Sequence, residues 1–334
     1  MLPALLLLAA CGTSDPAGST GSPTAARTLT LAAYTTPREA YGKAILPAFA
    51  RHWKERTGED VTFEASYQGS GAQARAVKEG LEADVVALSL DPDVKVIEEA
   101  GLLTHDWRAG TNGGVVSRSI AVIAVRPGNP KNIRDWPDLA RPDVEVLTPN
   151  VRTSGGAMWN VLAIWGAGLR GHAGVTAGDE AGAVGLLRGV LGRVSVMDKG
   201  ARESVVNFEK GVGDAAITYE NEVLVARKEG RQMDYVVPPS TILIENPVAV
   251  VDTYAKKHGN EDLAAGFVAF LHTPESQKAF AVYGLRPVDP SVAPAGLPAP
   301  ADVFTVADLG GWDVVKPKVF GKGGAYDRAA PAAK

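Results

Sequence analysis

The chain has 334 residues, 46% of them hydrophobic and 22% charged, which is the make-up of a folded chain of one or two domains and excludes wholesale disorder. Its 34 Lys and Arg against 38 Asp and Glu leave a net charge of −4, which argues against a bulk electrostatic grip on nucleic acid. No apolar run reaches the roughly 20 residues of a spanning helix, and the single cysteine, Cys11, excludes an internal disulfide and any CxxC metal or redox site.

In chain order, the first element is an apolar segment over 2–10 that ends Leu8-Ala9-Ala10-Cys11. It is too short to span a bilayer and suits the core of a secretory signal. Small residues before a cysteine resemble the lipobox of bacterial lipoproteins, where the signal is cut before the cysteine and its thiol takes a diacylglycerol. Met1-Leu2-Pro3 carries no Lys or Arg, where such a signal has a charged start. Residues 12–26 are rich in Gly, Ser, Thr, Pro and Ala and read as a tether. The expected organisation here is a lipoprotein signal over 1–10 and a flexible tether over 11–27. Cys11 would then anchor the chain by lipid to the outer face of a cell membrane. Export also argues against a soluble cofactor such as NAD.

From Thr28 onward, short β-branched runs alternate with helical patterns, the signature of an α/β fold. Strands are predicted over 29–33, 60–65, 84–87, 120–125, 144–147, 215–218, 235–237 and 248–251. Helices are predicted over 38–56, with Tyr41, Ile45, Phe49 and Trp53 at fourfold spacing, and over 157–167 and 263–271. The strand-like stretches 119–125 and 247–251 bracket a middle segment, as when a chain crosses into a second lobe and returns. This places one lobe at 28–117 and 250–330 and the other at 118–249.

Three small-residue segments each precede a predicted helix: Gln68-Gly69-Ser70-Gly71-Ala72-Gln73, Thr153-Ser154-Gly155-Gly156 and Lys199-Gly200-Ala201-Arg202. A helix N-terminus holds unpaired N–H donors and about half a positive charge. Glycine lets a ligand approach those donors, and a serine hydroxyl adds another. Such ends can bind a small dianion without Lys or Arg. The alternative is that they are ordinary caps and turns, and the residues alone leave the two readings about even.

These residues carry a resemblance to the bacterial sulfate-binding protein family. It runs through Tyr67-Gln68-Gly69-Ser70-Gly71, Gly80-Leu81-Glu82-Ala83-Asp84-Val85-Val86 and Arg126-Pro127-Gly128-Asn129-Pro130-Lys131. Trp136-Pro137-Asp138-Leu139, Thr148-Pro149-Asn150 and Ser154-Gly155-Gly156-Ala157-Met158-Trp159-Asn160 continue it. Gly200-Ala201-Arg202, Glu220-Asn221-Glu222 and Gly310-Gly311-Trp312 complete it, in order, over about residues 28–328. The resemblance implies a two-lobed periplasmic-binding-protein fold of type II, with the ligand in a cleft between lobes joined by two hinge strands. It implies capture of sulfate for the membrane permease of an ABC importer, no enzymatic activity and no cofactor, with a monomer expected. Carried over, the ligand-binding residues are Ser70, Ser154, Gly155, Gly156, Ala201 and Tyr219, with Gly69, Gly71 and Arg202 in support. The sequence departs from the family at Tyr219, where Trp is usual, and at Tyr34-Thr35-Thr36, where Tyr-Asp-Pro is common.

Sulfate is fully deprotonated at neutral pH, whereas phosphate keeps a proton that a carboxylate could accept. The sulfate reading therefore requires Asp198 and Glu220 to point away from the ligand. Thiosulfate, molybdate and phosphate are the alternative ligands. An exported dinucleotide-binding oxidoreductase is the rival of another class, since Gly69–Ala74 fits GxGxxA with Asp91 about 20 residues on. No GxSxG, HExxH or P-loop occurs, and the five histidines are scattered. Glu220, Glu222 and Glu229 read as a solvated helix face. Arg152, Lys199 and Arg202 read as charges that steer anions or are simply solvated, and Trp53, Trp159 and Trp165 as core.

Overall fold

The computed structural model describes residues 26–331. The expected signal, nearly all of the tether and the Cys11 anchor lie outside the described residues. The chain enters a sheet at β1 (Arg27–Tyr34) and passes through α1 (Arg38–Ala40), a π-helical turn (Tyr41–Ile45) and α2 (Leu46–Thr57). The sequence predicts one helix over 38–56, and the break has a local cause. Pro47 has no N–H to donate to the carbonyl one turn back, and the Leu46 N–H bonds Tyr41 O, five residues back, instead. The chain then forms β2 (Val61–Gln68), α3 (Ser70–Lys78), β3 (Val85–Ala87) and α4 (Asp91–Glu98). β2, β1 and β3 pair in parallel in that order. Phe49 and Trp53 of α2 pack on one face of this sheet, and Ala74 and Val77 of α3 with Val94 and Ile97 of α4 cover the other.

The chain leaves this lobe along β4 (Val115–Val125), an eleven-residue strand. The second lobe follows as β5 (Val146–Pro149), α5 (Gly155–Leu169), α6 (Glu180–Leu191), β6 (Val194–Asp198), α7 (Ala201–Glu209), β7 (Ala215–Tyr219), α8 (Glu220–Lys228) and β8 (Asp234–Val236). Return is along β9 (Ser240–Val250), also eleven residues long. The first half of β4, Val115–Ile120, pairs antiparallel with Leu243–Pro247 of β9. The far half of β4 pairs with β7 in the second lobe, while the last residues of β9 pair with β3 in the first. These are the two crossing strands that the sequence brackets, each longer than its apolar stretch alone predicts.

After β9 come α9 (Asp252–His258), α10 (Glu261–Leu271), α11 (Pro274–Val282) and the short β10 (Arg286–Pro287). Phe267, Phe270 and Phe280 return to the core of the first lobe beside Phe49. The assignment of all of 250–330 to that lobe is corrected by the tail. β11 (Asp302–Phe304) pairs with the start of β9. Phe304, Val315 of α12 (Trp312–Val315) and Ala325 and Ala329 of α13 (Ala325–Ala329) join the core of the second lobe with Ile164 and Leu187. The chain therefore crosses a third time, between β10 and β11. Among the described residues no helix is long and apolar enough to cross a membrane.

The tail meets α5 at a position without a side chain: a Cβ on Gly166 would lie 2.5 Å from the Phe304 ring. We expect G166A to lower unfolding stability by about 1–3 kcal/mol through overpacking of this seam, as read from denaturant melts. Wild-type stability in G166A would show that the tail is not held there.

Candidate functional site

The candidate residues lie at the carboxyl ends of strands in both lobes, the edge where open α/β sheets place their ligands. In the first lobe β2 ends at Gln68, Gly69 is the N-cap of α3, and Ser70 opens the helix. In the second, β5 runs into α5 with Ser154 as its N-cap. β6 leads through Gly200 into α7, and β7 ends at Tyr219, which caps α8. A strand-to-helix turn at this edge leaves the first N–H groups of each helix unpaired within it.

The structure brings these segments together across the lobes. A Cβ on Gly69 would lie 2.5 Å from Thr153 O and 2.9 Å from Lys199 O, so the glycine is required by close approach rather than by its dihedrals. The Ala72 N–H donates to Thr153 O at 3.3 Å, which ties the first turn of α3 to the loop before α5. A Cβ on Gly156 would lie 2.9 Å from the Tyr219 ring, 3.1 Å from the Ala201 Cβ and 3.3 Å from Ser154 Oγ. A Cβ on Gly155 would stand 2.6 Å from Ser89 Oγ of the opposite lobe. Ser70, Ser154, Gly155, Gly156, Ala201 and Tyr219 are all buried.

Their donors divide into spent and available. Ser154 Oγ accepts from the Ala157 N–H at 3.4 Å and keeps its own hydrogen, while the Ser154 N–H is bonded to Asn150 O. The N–H groups of Gly155, Gly156 and Ala201 have no protein acceptor among the described residues. Ser70 corrects the expectation of a ligand-binding hydroxyl. Its Oγ donates to Asp93 Oδ2 at 2.6 Å and accepts from the Ser89 N–H at 2.9 Å, so what it offers is its main-chain N–H. Crowding out of water raises the Asp93 carboxyl to about 6 against the pull of this hydrogen bond.

Two acidic residues beside the site are engaged elsewhere. Glu220 is fully buried and bonds Arg286 through both oxygens, at 2.7 and 3.0 Å. Asp198 accepts from Asn207 Nδ2 at 2.6 Å and Ser204 Oγ at 2.8 Å. The solvated acidic face expected on α8 is thereby corrected, because Glu222 is buried as well. Its Oε2 accepts from Arg202 Nε at 2.6 Å. Arg202 is neither solvated nor an anion-steering charge, since its guanidinium also grips Glu39 of the first lobe at 2.7 and 2.9 Å. Burial raises the Glu222 carboxyl in spite of Arg202. Burial opposes the Arg202 charge too, but the two carboxylates outweigh it and raise the guanidinium. Thr36 Oγ1 and Glu222 Oε1 are buried without a hydrogen-bond partner.

The dinucleotide reading does not survive this geometry. Gly69 is covered by the carbonyls of Thr153 and Lys199, and both oxygens of Asp91 are bonded to Arg108 at 2.9 Å. No group of three or more metal-ligating side chains forms among the described residues. Sequence reasoning missed Ser89, Asp93 and Glu39. Ser89 follows the buried run 85–88 at the same sheet edge as the other segments, which is the one signal that points to it. Trp53, Trp159 and Trp165 are core, as expected, but the Trp159 Nε1 also reaches Ser89 Oγ at 3.1 Å and Ser89 O at 3.0 Å.

Residues 29–286 match the family of bacterial extracellular solute-binding proteins. The chain is 44% identical to a sulfate-binding protein of Synechococcus elongatus, over 98% of this chain and 93% of that protein. It is 35% identical to a thiosulfate-binding protein of Pseudomonas aeruginosa, over 92% and 93%. Among solved structures, the sulfate-binding protein SubI from Mycobacterium tuberculosis H37Rv superposes with a TM-score of 0.81 at 38% identity, covering 88% of this chain and 99% of that one. With two α/β lobes, a cleft edged by helix N-termini and these relatives over nearly its whole length, the chain belongs to the bacterial extracellular solute-binding proteins, in the sulfate-binding protein family.

Proposed function

We propose that the chain captures sulfate between its lobes and delivers it to the membrane permease of an ABC importer. The observation that supports this most is the meeting of three helix N-termini from two lobes, while Asp198 and Glu220 are bonded elsewhere. In this reading the N–H groups of Ser70, Gly155, Gly156 and Ala201, the Ser154 hydroxyl and the Tyr219 phenol donate to the anion. Gly69 and Gly71 leave room for the approach, and Arg202 holds α7 to Glu39. Each hydrogen bond to a charged group contributes about 1.5–3 kcal/mol, and closure strengthens each by excluding water. A fully deprotonated oxyanion suits a site built of donors. Thiosulfate, also a fully deprotonated tetrahedral dianion but with one oxygen replaced by sulfur, is the second reading, favoured by the 35% identical thiosulfate-binding relative.

The signal-like run before Cys11 supports an extracytoplasmic, lipid-anchored chain. Two acyl chains hold a protein stably at a bilayer surface.

Sulfate at a hundred times its Kd is expected to raise unfolding stability by about 2.7 kcal/mol, read as a thermal shift, with no shift from phosphate. Stabilisation by phosphate or molybdate and not by sulfate would overturn the ligand assignment. G155V should give no heat with sulfate in calorimetry yet unfold like wild type without it, because the added branch meets Ser89 across the cleft. Retained affinity in G155V would remove that segment from the site. In cells expressing the full chain, C11S should move the protein from the membrane fraction to the soluble one; equal partition of the two would dismiss the anchor.

A further inference from the structure

We propose that Ser89 is the positioning residue that aims the Tyr219 hydroxyl at the bound anion, through a one-way chain of hydrogen bonds from Trp159 to Ser89 to Tyr219 that forms only when the lobes close. This rests on the sulfate reading above and adds to it a residue outside the segments assigned to the ligand.

Which groups can donate fixes the first bond, from Trp159 to Ser89; in the second, between Ser89 and Tyr219, either hydroxyl can be the donor, and acidity decides. An indole nitrogen only donates, and a hydroxyl has one hydrogen and two lone pairs. Trp159 Nε1 sits 3.1 Å from Ser89 Oγ and 3.0 Å from Ser89 O, so the indole hydrogen is shared between two oxygens of Ser89. Tyr219 Oη lies 2.6 Å from the same Oγ. Two hydroxyl hydrogens are then left for one hydroxyl-to-hydroxyl contact, and one of them remains free. Accepting from the indole polarises Ser89 and makes it the better donor to the phenol. The phenol, the stronger acid of the two, is left to donate to the negative charge. Burial pushes the Tyr219 phenol well above its ordinary pKa, so it keeps that hydrogen across the working range.

Ser89 is held in place from the first lobe. Its N–H donates to Ser70 Oγ at 2.9 Å, and Ser70 is itself fixed by Asp93. Its carbonyl accepts from Asn246 Nδ2 of β9 at 3.3 Å. Trp159 and Tyr219 belong to the second lobe, on α5 and at the end of β7. The Tyr219 ring lies over Gly156, at the N-terminus of α5. The contact therefore orients a donor as a consequence of closure, and an open protein lacks that donor in its aimed position.

The test is calorimetry of the full chain with sulfate, using wild type, S89A, Y219F and S89A/Y219F. Y219F should weaken binding about ten- to a hundred-fold, the loss of one hydrogen bond to a charged group. S89A should weaken it by about tenfold or more, and the double variant should be no weaker than Y219F alone, since both remove one unit. S89G, which also keeps the main-chain carbonyl that Trp159 uses, should match S89A and serves if S89A folds poorly. Affinity within twofold of wild type in S89A or S89G overturns the proposal. So does a double variant whose loss is the product of the single losses. If wild type itself gives no heat with sulfate, the sulfate reading fails. Sulfate binding that S89A leaves untouched removes the relay alone.

Discussion

Two folded lobes can bring their helix ends together only where no side chain stands between them. At Gly69, Gly155 and Gly156 the first carbon of any side chain would fall within 3 Å of the opposite lobe or of Tyr219, closer than packed atoms stand. The lining of the cleft follows from this requirement. Main-chain N–H groups at the first turns of the helices are left to do much of the lining, with the Ser154 hydroxyl and the Tyr219 phenol beside them. A site made of such groups is rich in donors and poor in acceptors, which suits an anion that carries no hydrogen of its own.

The charges around the cleft answer a second requirement. Glu220, Glu222 and Asp198 stand close to segments that would hold a dianion, and an uncompensated carboxylate there would oppose it. Each is engaged: Glu220 by Arg286, Glu222 by Arg202, and Asp198 by a serine and an asparagine. Breaking a buried pair by removing one partner is strongly destabilising, at about 3–5 kcal/mol. These pairs therefore matter both to the fold and to the sign of the potential in the cleft. Arg202 does more than neutralise, since its second carboxylate partner, Glu39, belongs to the first lobe.

The strands and the glycine segments were legible in the sequence because they depend on local pattern. Short β-branched runs mark buried parallel strands, and Gly or Ser before a helical period marks a strand-to-helix turn. What stayed hidden depends on partners far along the chain. Glu220 and Glu222 read as solvated until Arg286 and Arg202 come to them across 66 and 20 residues. The Ser70 hydroxyl read as a ligand donor until Asp93, 23 residues on, takes its hydrogen. β6 (Val194–Asp198) escaped notice because it is an edge strand of half-buried and exposed residues, without the apolar run that marks a central one. Helical period likewise reads straight through Pro47, although the missing N–H forces a wider turn.

The third crossing, from β10 to β11, changes the mechanics of the joint. β4 and β9 form one paired ribbon between the lobes. A third run of chain joins the lobes, from β10, which pairs with Arg118 and Ser117 of β4, to Phe304, which sits in the seam beside Gly166. Three separate runs of chain thus join the lobes, and each is a restraint on how one lobe can turn against the other.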